Sequence, residues 1–275
     1  MFEPVIKWSV SKRSQAEEII KYFPKEIDTY YEPFIGGGSM MRTLIDDESI
    51  KVNTIICSDI NSDLINLWNC IKNDFESVYF HYKSLWYELT KDENKERKKE
   101  FFNTIRERYN KERNPLDFMF IMRTTTNGMP RYNNNGEFNN SFHITRDGII
   151  PEKLYKILEE WSYKLNKKNV QFVVSDYKDI IPKENDFIYM DPPYASTKGM
   201  YFGGIDNEQL FDYIRNLKCK FALSFDGKSG DVDNTYNVPE DIYNKHIYIK
   251  SGNSSFKRVI GKSNDSIVYE SLYLN

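Results

Sequence analysis

Two adjacent prolines, Pro192 and Pro193, close a short apolar run made of Asp186, Phe187, Ile188, Tyr189 and Met190. Each proline fixes φ and removes a backbone donor, so neither a helix nor a sheet ladder continues through the pair. The run before them reads as a buried strand. A strand that must stop at a rigid turn places Asp191 and Tyr194 at the end of that strand, on a lip with one carboxylate, exposed carbonyls and one aromatic ring. Such a set suits a planar base with an exocyclic amine. The carboxylate and a backbone carbonyl can accept both N–H bonds of the amine while the ring stacks on the base. Asp-Pro-Pro also occurs in plain turns, so the motif takes its meaning from what accompanies it.

Far upstream, Thr29-Tyr30-Tyr31 leads into Glu32-Pro33-Phe34-Ile35-Gly36-Gly37-Gly38-Ser39, with a helical segment from Ser39. A strand, a glycine turn and a helix let a ligand approach the backbone closely. No Gly-Lys-Ser/Thr follows, which argues against a phosphate-cradling P-loop. The next apolar strand, Thr54 to Ser58, ends in Asp59. An acidic residue about 20 positions past a glycine turn is where a ribose diol is held. The plain alternative is a structural turn followed by a helix-capping aspartate.

Beyond Asp59 the period changes. Leu64, Ile65, Leu67, Trp68 and Ile71 recur at helical spacing, and helical patterns continue through Phe75 to Leu89, Phe101 to Tyr109 and Leu116 to Met122. A polar loop is expected from Thr124 to Asn140, then a helix from Pro151. Strands resume at Val170 to Val174, Phe187 to Met190, Phe221 to Phe225, Lys245 to Lys250 and Ser266 to Leu274, with a helix over Glu208 to Leu217. Strands alternating with helices predict an α/β, doubly wound, mostly parallel sheet, with the last two strands as a hairpin at one edge. The helical block from 62 to 150 interrupts that alternation as an inserted lobe. The glycine turn and the proline lip both follow strands, so both fall on the carboxyl edge, where ligands bind in such sheets.

Composition narrows the class. Hydrophobic residues make up 40%, enough for a large core, and no apolar run nears the length of a membrane-spanning helix. The start, Met1-Phe2-Glu3-Pro4, lacks a signal-peptide pattern, and three scattered cysteines predict a reduced, cytoplasmic protein without a metal site. The net charge of −3 runs against the basic footprint of nucleic-acid binders. Lys91 to Arg131, however, holds eleven Lys/Arg against seven Asp/Glu. Its charge-dense start reads as a solvated helix, whereas Arg123 and Arg131 flank a stretch rich in Thr, Asn and Gly.

The chain resembles the Dam-like (D12 class) DNA adenine N6-methyltransferases. The matching stretches are Lys7 to Arg13, Glu32 to Gly38, Ser58 to Ile65, Asn127 to Asn133, Gly136 to Asn139 and Asp191 to Tyr194, in the family's order. The resemblance implies a Rossmann-like S-adenosylmethionine-dependent methyltransferase sheet with an inserted, mainly helical target-recognition lobe. Residues 1–61 and 151–275 would form the catalytic domain and 62–150 the lobe. It implies S-adenosyl-L-methionine as cofactor, touched by Trp8, Lys12, Glu32, Phe34, Gly36, Gly38, Asp59, Asp176 and Asp191. It implies a catalytic lip of Asp191, Pro192, Pro193 and Tyr194, and double-stranded DNA met by Asn127, Arg131 and Asn133, which Arg123 joins as a candidate from its place beside the same polar stretch. A restriction endonuclease partner is compatible with it. For Asp176 a helix cap is the rival role.

Departures from the family pattern are also visible. Val10 and Ser11 stand where the first motif carries two glycines. Thr126 replaces the aromatic of GATC-specific members, and Ser141-Phe142-His143 replaces their Pro-Phe-Gly, so the expected target differs from GATC. Rival functions are amino-methylation of RNA, cytosine or a glutamine side chain, whose enzymes tend to carry Asn or Ser in place of Asp191, and a non-catalytic DNA-binding relative.

Overall fold

The computed structural model describes residues 3–8, 12–126, 128, 130–193, 205–230, 232–253 and 267–275. Five parallel strands form the body of the sheet: β1 (Glu26–Glu32), β2 (Lys51–Asp59), β3 (Val170–Val174), β4 (Phe187–Met190) and β5 (Lys220–Phe225). Their order across the sheet is β3-β2-β1-β4-β5, so the winding reverses between β1 and β4. The other strands are β6 (Lys228–Ser229), β7 (Val232–Asp233), β8 (Lys245–Asn253) and β9 (Ile267–Leu274). β9 runs antiparallel to β5 and carries β8 along its other side, as the expected edge hairpin requires. β4 is buried along its whole length, as the apolar run before the prolines demanded.

The helices are α1 (Ala16–Ile19), α2 (Ser39–Asp46), α3 (Ser62–Asn73), α4 (Phe75–Thr90), α5 (Lys95–Glu112), α6 (Pro115–Thr124), α7 (Pro151–Lys167) and α8 (Asn207–Arg215). Their starts follow capping chemistry. Side-chain oxygens of Asn61, Asp74, Asn94, Asn114 and Asp206 accept from orphan backbone N–H groups at the starts of α3, α4, α5, α6 and α8. The mixed-charge run at the start of α5 is solvated except at Lys98, which is buried against Asp147 at 2.9 Å on the side where Phe102, Ile105 and Tyr109 are also buried.

All the material from α3 to α7 lies within the crossover from β2 to β3. α3 packs on both of those strands and on α7, with Trp68 stacked on Phe172 at 5.2 Å and against Trp161 at 5.0 Å. One buried cluster runs from the sheet through α3 and α7 into α4, α5 and α6. The core is therefore continuous across position 62, and α4 to α6 with the following segment are the part that leaves the sheet. Among the described residues, no helix is long and apolar enough to cross a membrane.

The segment expected to be a polar loop is more ordered than its composition suggested. Antiparallel bridges pair Thr125 with Phe142 and Tyr132 with Phe138, making a hairpin whose Phe138 and Phe142 are buried. Asn133 shapes its tip. Its side-chain oxygen accepts from the backbone N–H of Asn135 and Glu137, and its amide donates to Glu137 at 2.8 Å. Gly136 sits there with φ +75, in the left-handed region that glycine enters without strain.

Candidate active site

Three parallel strands deliver carboxylates to one edge: Glu32 ends β1, Asp59 ends β2, and Asp191 follows β4. The turn after β1 is tied to the neighbouring strand by the Ile35 N–H, which donates to the Ser58 carbonyl at 3.1 Å. Gly36 and Gly38 both take positive φ there, and the Gly36 N–H donates to Asp59. The absent side chains of these glycines also make room for the protein's own rings. A Cβ on Gly36 would lie 2.9 Å from the Trp8 indole nitrogen, and one on Gly37 would lie 2.7 Å from the Trp8 Cβ. A Cβ on Gly38 would meet Trp68 and Met41 at 2.9 Å. The close approach is made by the protein's own indoles, so a ligand at this turn meets Trp8 as well as backbone.

Asp59 accepts from the backbone N–H of Asn61 at 3.0 Å and from those of Gly36 and Ile60. Burial outweighs these donors and pushes its carboxyl up to about 6. Glu32 lies deeper, only 3% exposed, and accepts from the Tyr30 hydroxyl at 2.7 Å. Burial, reinforced by the nearby Asp191 charge, raises it to about 8, so it carries its proton at neutral pH. Phe34 packs its ring on Tyr177, centroids 5.6 Å apart, beyond the end of β3. Asp176 caps the short 3-10 turn Tyr177–Asp179 by accepting from the Lys178 N–H at 3.0 Å, which is the rival role named for it.

Asp191 meets a buried cation. The Lys12 ammonium lies 2.9 Å from Asp191 and 2.7 Å from Glu270, a residue of β9. Burial works against the Lys12 charge, but the two carboxylates outweigh it and hold the ammonium above its usual range. Gln15 steadies Glu270 through a 2.9 Å hydrogen bond. Pro192 is buried and Pro193 partly so. Tyr194 and Asn127 fall outside the described residues.

The expected DNA contacts divide. Arg131 is exposed, and among the described residues no carboxylate pairs with it; Glu137 is taken by Asn133 instead. Asn133 is exposed but occupied in shaping the hairpin tip. Arg123 corrects its expectation. Its guanidinium turns inward and donates to the Pro4 carbonyl at 2.9 Å and to the Val5 carbonyl, and burial drops its pKa to about 10. It pins the N-terminal arm to the end of α6 and is not placed to meet DNA. Gly128 serves the same docking, since a Cβ there would lie 2.7 Å from the Lys7 carbonyl.

Sequence reading missed Glu270, Gln15 and Asn61. Asn61 carries a local signal, the cap position two residues after Asp59. Glu270 carries none, because its partner Lys12 stands at the other end of the chain. Among the described residues no His/Cys/Asp/Glu group could hold a metal ion.

A family model described as D12 class N6 adenine-specific DNA methyltransferase matches residues 8–251. The Type II methyltransferase M.MjaIII of Methanocaldococcus jannaschii is 32% identical over 260 residues, covering 86% of this chain and 85% of that protein. A DNA adenine methylase of Serratia marcescens is 34% identical over 194 residues, 69% of this chain and 66% of its own. The Type II methyltransferase M.FokI of Planomicrobium okeanokoites is 29% identical and is matched along 94% of this chain but only 41% of its own length.

Proposed function

The chain belongs to the D12 class of N6 adenine-specific DNA methyltransferases, and from that premise we propose how its residues carry the reaction. The single observation that supports the assignment best is the Lys12–Asp191 pair at 2.9 Å, on the edge that also carries Asp59 and the glycine turn.

S-adenosylmethionine, when bound, supplies a methyl group already activated on a sulfonium. The residues present fit it. Asp59, held by three backbone N–H groups, accepts from the ribose hydroxyls. Phe34, Gly36, Gly38 and Trp8 line the turn beneath it, and Asp176 with the Phe34–Tyr177 ring pair borders the end of β3. Glu32 acts from the floor as a neutral, buried carboxyl beside Asp191.

Asp191 and the Pro192 carbonyl accept the two N–H bonds of the adenine amine. That favours a pyramidal nitrogen whose lone pair is localised and no longer delocalised into the ring. Lys12 favours the ionised form of Asp191, the form that accepts but cannot donate. Holding the amine in this pose would add proximity and orientation toward the methyl donor when that is bound. The amine is out of reach inside a stacked duplex, so the adenine flips out at a cost of a few kcal/mol. Stacking on Tyr194, worth about 1–3 kcal/mol, offsets part of that.

Residues 1–61 and 151–275 act as the catalytic domain; within 62–150, α3 packs on that domain's sheet, and the part from α4 onward acts as the lobe that reads double-stranded DNA, with Arg131 beside the hairpin tip as its base-reading side chain. The departures at Thr126 and Ser141-Phe142-His143 favour a target other than GATC. The Type II methyltransferases among the relatives favour pairing with a restriction endonuclease. Tritium transfer from labelled cofactor to genomic DNA, followed by nucleoside digestion, tests the reaction. Label in N6-methyladenine supports it; label only in N4-methylcytosine, only in RNA, or nowhere overturns it.

A further inference from the structure

α5 and its C-cap residue Arg113 carry a row of donors matched to the returning arm of the hairpin. Arg106 donates to the Asn140 carbonyl at 3.0 Å, Asn110 to the Phe138 carbonyl at 3.0 Å, and Arg113 to the Gly136 carbonyl at 2.6 Å. Asn110 also accepts from the Phe138 N–H at 2.8 Å, as a neighbouring strand would. The spacing explains the match. Three or four helical residues advance about 4.5–6 Å, and two strand residues advance about 6.6 Å, so one helix face can serve alternate carbonyls of a strand. Among the described residues the hairpin has no sheet partner on this side, and α5 takes that place.

The last donor in the row leads elsewhere. The Arg113 guanidinium also reaches Asp63 at 3.2 Å and lies over the rings of Tyr109 and Tyr132, at 5.3 and 6.0 Å. Asp63 sits in the first turn of α3 and accepts from the Tyr109 hydroxyl. Asn61, which caps that turn, gives its backbone N–H to Asp59 at 3.0 Å and its side-chain amide to the Tyr132 hydroxyl at 3.4 Å. Tyr132 is itself a hairpin residue, bridged to Phe138. Two short routes therefore join Asp59 to the hairpin, one through Asn61 and Tyr132, the other through the start of α3, Asp63 and Arg113.

We propose that Arg113 is a positioning residue that couples the hairpin tip to the occupancy of Asp59, so that a bound adenosine-type cofactor tightens the DNA-reading hairpin. This rests on the reading of Asp59 as the ribose acceptor and of the hairpin as the DNA-facing element. A ligand held by Asp59 restrains the Asp59–Asn61 turn. Whatever that turn shares bonds with is ordered in advance, and a second ligand then loses less freedom on binding.

Hydrogen exchange of residues 136–139, with and without S-adenosylhomocysteine, tests this, with calorimetry on the same samples. In the wild type the ligand slows hairpin exchange severalfold. Arg113→Ala exchanges faster, roughly tenfold for a lost charged hydrogen bond, and its response to the ligand is reduced to what the Asn61–Tyr132 route carries. Tyr132→Phe keeps the ring, loses only the hydroxyl, and shows a weakened response, which provides a test should Arg113→Ala fold poorly. A purely structural arginine would speed exchange equally with and without ligand, and that outcome overturns the coupling. So does a wild-type hairpin that ignores a ligand shown to bind. If the wild type fails to bind S-adenosylhomocysteine at all, the reading of the Asp59 site falls, and this inference with it.

Discussion

Lys12 and Asp191 face each other at 2.9 Å, ammonium to carboxylate, and Glu270 is the second counter-ion of the same buried lysine at 2.7 Å. A buried charge stripped of its partners costs about 3–5 kcal/mol, whereas one that keeps a carboxylate costs far less. Asp191→Ala should therefore fold, retain DNA binding through phosphate contacts, and lose methyl transfer. Combining it with Glu270→Ala should destabilise the fold by more than the two single changes together. Denaturant unfolding of the four proteins measures this; simple additivity would show that Lys12 does not depend on the pair.

Asp59→Ala should weaken cofactor binding at least tenfold, since hydrogen bonds to a charged group contribute roughly 1.5–3 kcal/mol. The site also has a pH signature. Only the ionised carboxylate accepts from both ribose hydroxyls, and burial has raised this group to about 6. Affinity should be flat above neutrality and fall as pH drops below about 6. Calorimetric titrations across that range decide it: a flat profile down to pH 5, or an unchanged dissociation constant in the variant, removes Asp59 from the ribose.

Glu32 predicts the opposite trend, in stability. Its carboxyl is raised from an ordinary 4.5 to about 8, so the folded state holds the proton more tightly than the unfolded chain. Its contribution is full below about 4.5 and is lost as pH rises through about 8. Glu32→Gln keeps an acceptor for the Tyr30 hydroxyl but has no proton to lose. The variant should gain on the wild type between pH 5 and 8.5, by on the order of a few kcal/mol. Parallel stability curves for the two proteins would rule out a neutral Glu32.

The sheet was legible in the chain because its strands are continuous apolar runs punctuated by glycine and proline. The positions of Glu32, Asp59 and Asp191 at strand ends followed from that. The long-range partners were not. Lys12 stands out only through the family resemblance, and nothing local in either segment announces the contact that β9 makes by bringing Glu270 against it. Arg123 misleads for the same reason: a polar neighbourhood suggests exposure, while its acceptors, the Pro4 and Val5 carbonyls, lie at the far end of the chain. The hairpin was hidden because its ladder partner is a helix, whose donors at Arg106, Asn110 and Arg113 follow helical spacing and leave no mark on a strand pattern.

The two arginines that flank the Asn-Gly segment should separate cleanly under mutation. Arg131 is exposed and pairs with no carboxylate among the described residues, so its guanidinium is available to a base edge. Arginine to guanine in the major groove is worth about 1–3 kcal/mol of discrimination. Arg131→Ala should relax the recognised sequence at one position, whereas losing a phosphate contact would weaken all sequences alike. Arg123→Ala should lower stability, because it releases the N-terminal arm that also carries Lys7 and Trp8, and should leave the recognised sequence unchanged. Single-molecule sequencing of DNA from a methylation-free host expressing each protein reads both effects at once. Methylation confined to GATC would refute a changed target. An Arg131→Ala protein that loses activity with its preference intact would refute base reading, and a changed motif in Arg123→Ala would show that the buried arginine reaches DNA after all.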